Sequence, residues 1–140
     1  MASLSRIEIE GTEQTPHVIL DKEKNSFKIE GFSFPDTPYV FYTDLIEWFK
    51  EYCQAPNEET HFVFAFLYVN STSVKFIHDM LKRMDGLIEE GKKARVTWMI
   101  NPEDEDIEQL GQELKGLHKM PFQIIAQEPE KPQPGPKKFF

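Results

Sequence analysis

The segment His61-Phe62-Val63-Phe64-Ala65-Phe66-Leu67-Tyr68-Val69 and the polar residues Asn70-Ser71-Thr72-Ser73 that follow it decide the fold. The first part is almost continuously apolar, which is typical of a central strand covered on both faces of a sheet. Asn, Ser and Thr are preferred where helices begin. The segment therefore predicts a strand in the middle of the sheet that leads directly into a helix.

Helical patterns occur both after and before this strand in the sequence. After it, apolar residues at helical spacing predict a helix from Ser71, and Gly91 stands where a C-terminal cap glycine belongs. Before it, Thr37-Pro38 marks the entry to a helix over about Tyr39 to Gln54, because proline is tolerated in the first helical turn. The two apolar stripes consist of Val74, Ile77, Leu81, Met84 and Ile88, and of Phe41, Leu45, Trp48, Phe49 and Tyr52.

The N-terminal residues predict three strands. Apolar and polar residues alternate in Arg6–Glu10, and the strand patterns His17–Leu20 and Ser26–Glu30 are joined by a polar turn. The proline-containing residues Gly31–Pro38 are expected to form a loop. The sheet is therefore expected to open with antiparallel strands.

The second half of the chain alternates strand and helix. After the helix that begins at Ser71, the sequence predicts a strand over Ala94–Ile100, a helix over Asp104–Leu117 and a strand over Phe122–Ala126. Helical crossovers of this kind join parallel strands. The fold class is therefore α/β, with a single domain over residues 1–127, antiparallel strands first, parallel βαβ units after them, and amphipathic helices packed on the mixed sheet. Residues 128–140 contain four prolines and are expected to form an extended tail.

Composition limits the class of protein. The chain has 140 residues and a formal net charge of −8, which disfavours nonspecific binding to nucleic acid or to an anionic membrane surface. Cys53 is the single cysteine, so no intramolecular disulfide can form, and Met1–Arg6 lacks a signal-peptide pattern. We therefore expect a cytoplasmic protein.

The sequence also lacks the usual catalytic signatures. It contains no phosphate-binding Gly-x-x-x-x-Gly-Lys loop, no Gly-x-Gly-x-x-Gly, no Gly-x-Ser-x-Gly and no His-Glu-x-x-His, and these absences disfavour an enzyme and a cofactor. Glu103-Asp104-Glu105-Asp106 resembles a magnesium site, but acidic residues also stabilise the first turn of a helix, which is the favoured interpretation. No metal site is expected, because the histidines are scattered at His17, His61, His78 and His118.

Two interpretations of Asn70-Ser71-Thr72-Ser73 remain open at this point. It forms a good helix N-terminus, which needs no further function. Alternatively, one of its hydroxyls accepts a phosphate, because unpaired backbone N–H groups and the positive end of the dipole gather there. Lys75 lies close enough along such a helix to pair with that phosphate. Residue chemistry alone favours the plain helix cap.

A family resemblance favours the switch. Leu67-Tyr68-Val69-Asn70-Ser71-Thr72-Ser73-Val74-Lys75 resembles the signature of the SiaC-type bacterial regulatory phosphoproteins, in which Tyr-Leu-Asn-Thr-Ser-Ser-Val-Lys follows a central strand. Further segments agree in order over about Ile9 to Ala126. They are Gly11-Thr12-Glu13-Gln14-Thr15-Pro16, Phe34-Pro35-Asp36-Thr37-Pro38-Tyr39 and Pro121-Phe122-Gln123-Ile124.

The resemblance implies a STAS-like fold, similar to anti-sigma-factor antagonists, and a non-catalytic signalling role. In that family a partner kinase phosphorylates the hydroxyl after the strand, a PP2C-like phosphatase removes the phosphate, and the unmodified protein binds and activates a diguanylate cyclase. The matching position is Ser71, with Thr72 and Ser73 as alternatives. The implied partner-binding residues are Asn70, Ser71, Thr72, Ser73 and Lys75.

Two other functions are kept as alternatives. The same fold serves as an anti-sigma-factor antagonist in partner-switching pathways. A small-molecule-binding domain is the second alternative, with a pocket lined by Trp48, Trp98 and the aromatic-rich residues Phe32–Tyr42. Aromatic residues in such stripes more often belong to a core, so this alternative ranks last.

Overall fold

The computed structural model describes residues 4–126, so the predicted tail over residues 128–140 lies outside the described residues. The chain folds into six strands and three helices over these residues. In order they are β1 (Ile7–Ile9), β2 (His17–Asp21), β3 (Ser26–Ser33), α1 (Pro38–Tyr52), β4 (Glu59–Val69), α2 (Ser71–Glu89), β5 (Lys93–Ile100), α3 (Glu105–Leu117) and β6 (Phe122–Ala126).

The six strands form one mixed sheet in sequence order, from β1 at one edge to β6 at the other. β1, β2 and β3 pair antiparallel, and β3, β4, β5 and β6 pair parallel. Every predicted element is present, and β4 lies inside the sheet as its apolar sequence predicted. The predicted fold class is therefore confirmed.

The end of β3 was placed too early by the sequence. The strand continues to Ser33, whereas the sequence pattern predicted a loop from Gly31. Gly31 adopts a φ of 104°, and the β3–β4 register shifts between Gly31 and Phe32. This bulge breaks the alternation that marks a strand, and glycine permits it because it has no Cβ.

All three helices pack on the same face of the sheet. From β3 to β6, each helical crossover leads to the next strand in the same direction along the sheet. Because crossovers between parallel strands are right-handed, successive crossovers in one direction place their helices on the same face of the sheet. Phe62, Phe64 and Phe66 face the helices and are buried, whereas Ala65 is half-buried and Leu67 is 48% exposed. The prediction that β4 is covered on both faces is therefore wrong.

The core between sheet and helices is rich in aromatic rings. Phe27 of β3 contacts Trp48, Phe49 and Tyr52 of α1, with ring centroids 4.9–6.4 Å apart. The predicted α1 stripe is buried except for half-buried Phe41, and it also includes residues that the periodicity missed, Tyr42 and Ile46.

The helix ends follow their sequence signals. Beyond α2, Gly91 has a φ of 88° and its N–H donates to Ile88 O, while Lys92 N–H donates to Leu87 O. These two bonds form a Schellman motif, so the predicted cap glycine is confirmed. At α3, Asp104 is the N-cap and accepts a hydrogen bond from Ile107 N at 3.0 Å.

The capping by Asp104 confirms that the acidic residues 103–106 mark the start of a helix. Within residues 4–126, no group of three or more His, Cys, Asp or Glu side chains is arranged to hold a metal ion. No helix in the same range is long and apolar enough to cross a membrane.

Trp98 fixes how closely α3 approaches the sheet. Its side chain is 1% exposed, and its Nε1 donates to Ile107 O at 2.9 Å. Gly111 of α3 lies on the indole, where a Cβ would stand 2.5 Å from Trp98 Cδ1. Glycine at this position lets α3 pack directly on the ring.

Gly111→Ala is expected to lower the free energy of unfolding by about 1–3 kcal/mol, because the added methyl group overpacks the Trp98 contact. Gly116→Ala is the matched control in the same helix, since a Cβ there meets nothing within 4 Å. The control should gain up to about 1 kcal/mol from helix propensity. Urea unfolding followed by circular dichroism measures both, and equal effects would contradict the packing argument.

Candidate functional site

The N-terminus of α2 is fixed by hydrogen bonds to the end of β3. Asn70 is the N-cap, and its Oδ1 accepts from Ser73 N at 2.8 Å. Its own N–H donates to Ser33 O at 3.0 Å. The start of α2 is therefore attached both to its own cap and to the neighbouring strand.

The three hydroxyls after Asn70 differ in their surroundings. Ser71 and Thr72 are exposed, whereas Ser73 is completely buried. Ser73 Oγ donates to Ser33 O at 3.2 Å, and Ser33 Oγ donates to Ser73 Oγ at 2.9 Å. A kinase can reach the first two hydroxyls in the folded protein, but reaching Ser73 requires the helix start to open.

The hydroxyl of Tyr42 completes this network. It lies 2.6 Å from Ser33 Oγ, and it is the donor because the one hydroxyl proton of Ser33 goes to Ser73. Burial raises the pKa of Tyr42 to about 12, and the hydrogen bonds with Ser33 and Ser73 only partly oppose this rise. The network therefore joins α1, β3 and α2 through neutral hydroxyl groups.

Unpaired donors remain at the start of the helix. The first N–H groups of a helix have no intrahelical acceptor, and among them Ser73 N is already bonded to Asn70. The N–H groups of Ser71 and Thr72 are left facing solvent, together with the positive end of the helix dipole. Lys75 is exposed one turn further on and forms no ion pair with any residue between 4 and 126. A phosphate on Ser71 would meet donors and positive charge.

Exposed and half-buried aromatic side chains lie on the segments next to this helix start and within its first two turns. Tyr39 is 74% exposed and meets Phe76 of α2 with ring centroids 6.1 Å apart. On the other side, Phe34 stacks edge-on against Tyr68 at 5.6 Å and against Phe32 at 6.5 Å. We call these five residues the aromatic rim: Phe32, Phe34, Tyr39, Tyr68 and Phe76.

The sequence and the fold can now be compared with known proteins. Residues 9–127 match the model of a family described as SiaC family regulatory phosphoprotein. The chain belongs to the SiaC family. The predicted resemblance is therefore confirmed over nearly the whole described range.

SiaC relatives from Pseudomonas aeruginosa match in sequence and structure. An uncharacterized protein of strain UCBPP-PA14 is 24% identical over 123 residues, covering 88% of this chain and 98% of the relative. The crystal structure of apo-SiaC superimposes with a TM-score of 0.81 at 23% identity, covering 87% of this chain and 99% of that chain. A chain in the crystal structure of diguanylate cyclase SiaD in complex with its activator SiaC gives a TM-score of 0.81 at 24% identity, covering 86% and 99%.

The candidate site contains residues that sequence analysis missed. The sequence pattern assigned Ser33 to a loop and Tyr42 to the helix over about Tyr39 to Gln54, and nothing in their spacing connects them to Ser73. Phe32 and Phe34 alternate around Ser33, and this alternation was the one available signal that β3 continues past Gly31.

Two predicted elements of a small-molecule pocket lie in the core instead. Trp98 is 1% exposed under α3, and Trp48 is 7% exposed, with its indole N–H donating to Ser5 O. The histidines, by contrast, are less scattered than the sequence indicated. His118 Nε2 lies 3.0 Å from His78 Nδ1, and His118 Nδ1 lies 2.8 Å from Asp85 Oδ2, which ties the segment before β6 to α2.

Negative charge should be tolerated at Ser71 and not at Ser73. Ser71→Asp is expected to keep the free energy of unfolding or raise it by up to about 1 kcal/mol, because the helix dipole favours an acid in the first turn. Ser73→Asp should lower it by about 3–5 kcal/mol, because the carboxylate would be buried without a cation. Ser73→Ala should lower the free energy of unfolding by about 1–2 kcal/mol, because it removes the hydrogen bonds without adding a charge. The difference between Ser73→Asp and Ser73→Ala then measures the effect of the charge. Denaturant unfolding measures all three, and equal stabilities of the two Asp variants would refute the assignment.

The Tyr42 network should give a distinct alkaline response. Between pH 10 and about 12 only the unfolded chain releases the Tyr42 proton, so stability falls as pH rises through this window. The expected loss is about 3 kcal/mol, from roughly two pKa units at 1.36 kcal/mol each. Tyr42→Phe removes this loss but lacks a hydrogen bond worth about 1 kcal/mol at neutral pH. Urea unfolding at several pH values should therefore show the variant less stable at pH 7 and more stable near pH 12; parallel curves would contradict the prediction.

Proposed function

We propose that Ser71 is the phosphorylation site of this regulatory phosphoprotein, with Thr72 as the alternative, and that the unmodified protein binds and activates a diguanylate cyclase. A partner kinase adds the phosphate and a PP2C-like phosphatase removes it. The observation that carries the proposal is the contrast between exposed Ser71 and buried Ser73 at one helix start. Membership of a phosphoprotein family supplies the reason for expecting a modified hydroxyl.

The proposed cyclase partner is supported by the structural match to SiaC in the SiaD complex. The surface offered to such a partner consists of the exposed hydroxyls, Lys75 and the aromatic rim. Tyr and Phe are enriched at the centres of protein interfaces because they bury large areas at low entropic cost. A partner docked there covers Ser71 directly.

Phosphate on Ser71 opposes that docking. It adds about −1.5 to −2 charges and three acceptor oxygens at neutral pH. The helix start and Lys75 stabilise these charges while they stay in water, whereas a docked partner would have to bury them against aromatic rings. The modified form is therefore folded but unable to bind the cyclase.

This role requires no chemistry from the domain itself, and we propose a non-catalytic protein that works in the cytoplasm, where ATP and GTP are available to the kinase and the cyclase. An anti-sigma-factor antagonist is the remaining alternative within the same fold. A pull-down with Ser71→Ala as bait separates the two, because the first proposal predicts a cyclase and the alternative predicts a kinase of the anti-sigma type.

Coexpression with a candidate partner kinase, followed by peptide mass spectrometry, tests the modified residue. Wild-type protein and Thr72→Ala should carry one phosphate at Ser71, and Ser71→Ala should carry none. Phosphate found outside residues 71–73, or no phosphate on wild-type protein, would overturn the site.

Calorimetry against the cyclase tests the mechanism. Ser71→Ala should bind like the wild type, and Ser71→Asp should bind at least about tenfold more weakly, equivalent to about 1.4 kcal/mol. Lys115→Glu on α3 is the matched control, because it adds negative charge at an exposed site on another helix and should bind normally. Full affinity of Ser71→Asp would refute the mechanism.

A further inference from the structure

The face of the sheet without helices carries a groove of about 540 Å³. Its floor is formed by side chains that point away from the core on three parallel strands. Ala65 and Leu67 of β4 and Met99 of β5 supply the apolar part, and Lys28 and Glu30 of β3 supply the polar part. The groove lies on the helix-free side of the sheet, and it meets the aromatic rim at Phe32, which also lines the groove.

One wall of the groove is the segment between β1 and β2. Thr12 and Thr15 line the groove, and this segment is fixed to β3 by a hydrogen bond from Phe34 N to Gln14 O at 2.8 Å. Within the segment, Thr12 N donates to Thr15 O at 2.8 Å. The wall is thus an ordered part of the fold that can support a bound peptide.

The β1–β2 segment carries two acidic side chains beside the groove, Glu10 and Glu13, although neither of them lines it. Exposed Glu10 and Glu13 form no ion pair with any residue of the described range 4–126. Glu30 lies 2.9 Å from His17 Nδ1 and 3.2 Å from Lys28 Nζ. Partial burial raises the pKa of Glu30, but these two contacts outweigh it and hold the pKa below its ordinary value, so the carboxylate stays charged at neutral pH.

The chain leaves the described range beside this groove. Ala126, the last residue of β6, pairs with Ile100, and Ile100 and Asn101 line the groove. Neighbouring strands lie about 4.8 Å apart, so residue 127 begins about one strand spacing from the groove wall. Residues 127–140 in extended conformation span up to about 43 Å, at about 3.1 Å per residue, which exceeds the width of the three strands that form the floor.

The chemistry of this segment complements the groove. It ends in Lys137-Lys138-Phe139-Phe140, which pairs two cations with two large apolar rings. The family match ends at residue 127, so this segment is an addition to the domain that the family shares. A basic and aromatic segment beside an apolar groove with an acidic wall is the arrangement expected of an intramolecular ligand.

We propose that residues 128–140 dock in this groove of the same molecule, with Phe139 and Phe140 on the floor formed by Ala65, Leu67 and Met99. Lys137 and Lys138 lie next to Glu10 and Glu13. The docked segment covers the floor of the groove, and Ser71 and Thr72, which do not line the groove, stay accessible.

Methyl resonances of the full-length protein test this docking. In protein labelled with ¹³C-methyl methionine, Phe139→Ala/Phe140→Ala should shift the Met99 resonance by removing aromatic ring currents. The resonances of Met80 and Met84, which are buried on α2, should not move. Tyr39→Ala, which removes an exposed ring that does not line the groove, is the matched control and should leave the Met99 resonance unchanged. A Met99 resonance that is identical in wild type and the double variant would overturn the proposal.

Dilution of the wild-type protein shows whether the docked segment belongs to the same molecule or to a second copy of the chain. Docking within one molecule gives a Met99 shift independent of protein concentration. A shift that moves towards that of Phe139→Ala/Phe140→Ala on dilution would mean that the segment comes from a second copy, and it would overturn the intramolecular proposal.

Proteolysis provides a second test, in which the groove is altered and the docked segment is left unchanged. Ala65→Arg fills the floor and adds positive charge, so trypsin should cleave after Lys137 and Lys138 several times faster than in the wild type, as followed by intact mass. Leu67→Ser provides a second groove variant in case Ala65→Arg fails to fold, which thermal unfolding by circular dichroism detects. Equal cleavage rates in wild type and a folded groove variant would refute the docking.

Discussion

The carbonyl oxygen of Ser33 is the acceptor on which the functional end of the molecule depends. It receives hydrogen bonds from Asn70 N and from Ser73 Oγ, one from the helix cap and one from the first helical turn. A buried carbonyl left without these donors would cost about 1–3 kcal/mol. The bonds therefore fix both the point at which α2 starts and the rotation of its first turn. That rotation buries Ser73 and leaves Ser71 and Thr72 in water.

The elements themselves were readable from the sequence, because each follows from a local pattern. Periodicity predicted three helices to within a few residues, and cap residues such as Asp104 and Gly91 located their ends. The error at β3 arose from a single glycine, since Gly31 bends the strand and interrupts the alternation without ending the pairing. The Ser33–Ser73–Tyr42 network was unpredictable because its members lie 9 and 40 residues apart and meet only in the folded sheet.

Coverage of the sheet is a further property that local sequence does not encode. β4 is apolar at nearly every position, which normally indicates a strand buried on both sides. Here all three crossovers move one strand in the same direction along the sheet. The three helices therefore cover one face of the sheet and leave the other face open. The apolar side chains on the other face, such as Ala65 and Leu67, consequently line an open groove. An open groove thus lies behind the sheet, and the candidate site lies at the start of α2.

The exposure of Ser71 has a consequence for the abundance of the protein in the cell. The Ser71 side chain is exposed and forms no hydrogen bond within the described range, so the proposed modification would leave the packing of the domain unchanged. Degradation of folded proteins follows the fraction that is open or unfolded. A charge that the helix start stabilises does not raise this fraction, so the modified form would be degraded no faster than the unmodified form. The ratio of the modifying and demodifying activities would then set the share of protein that is free to bind a partner, and the amount of protein made would set the total.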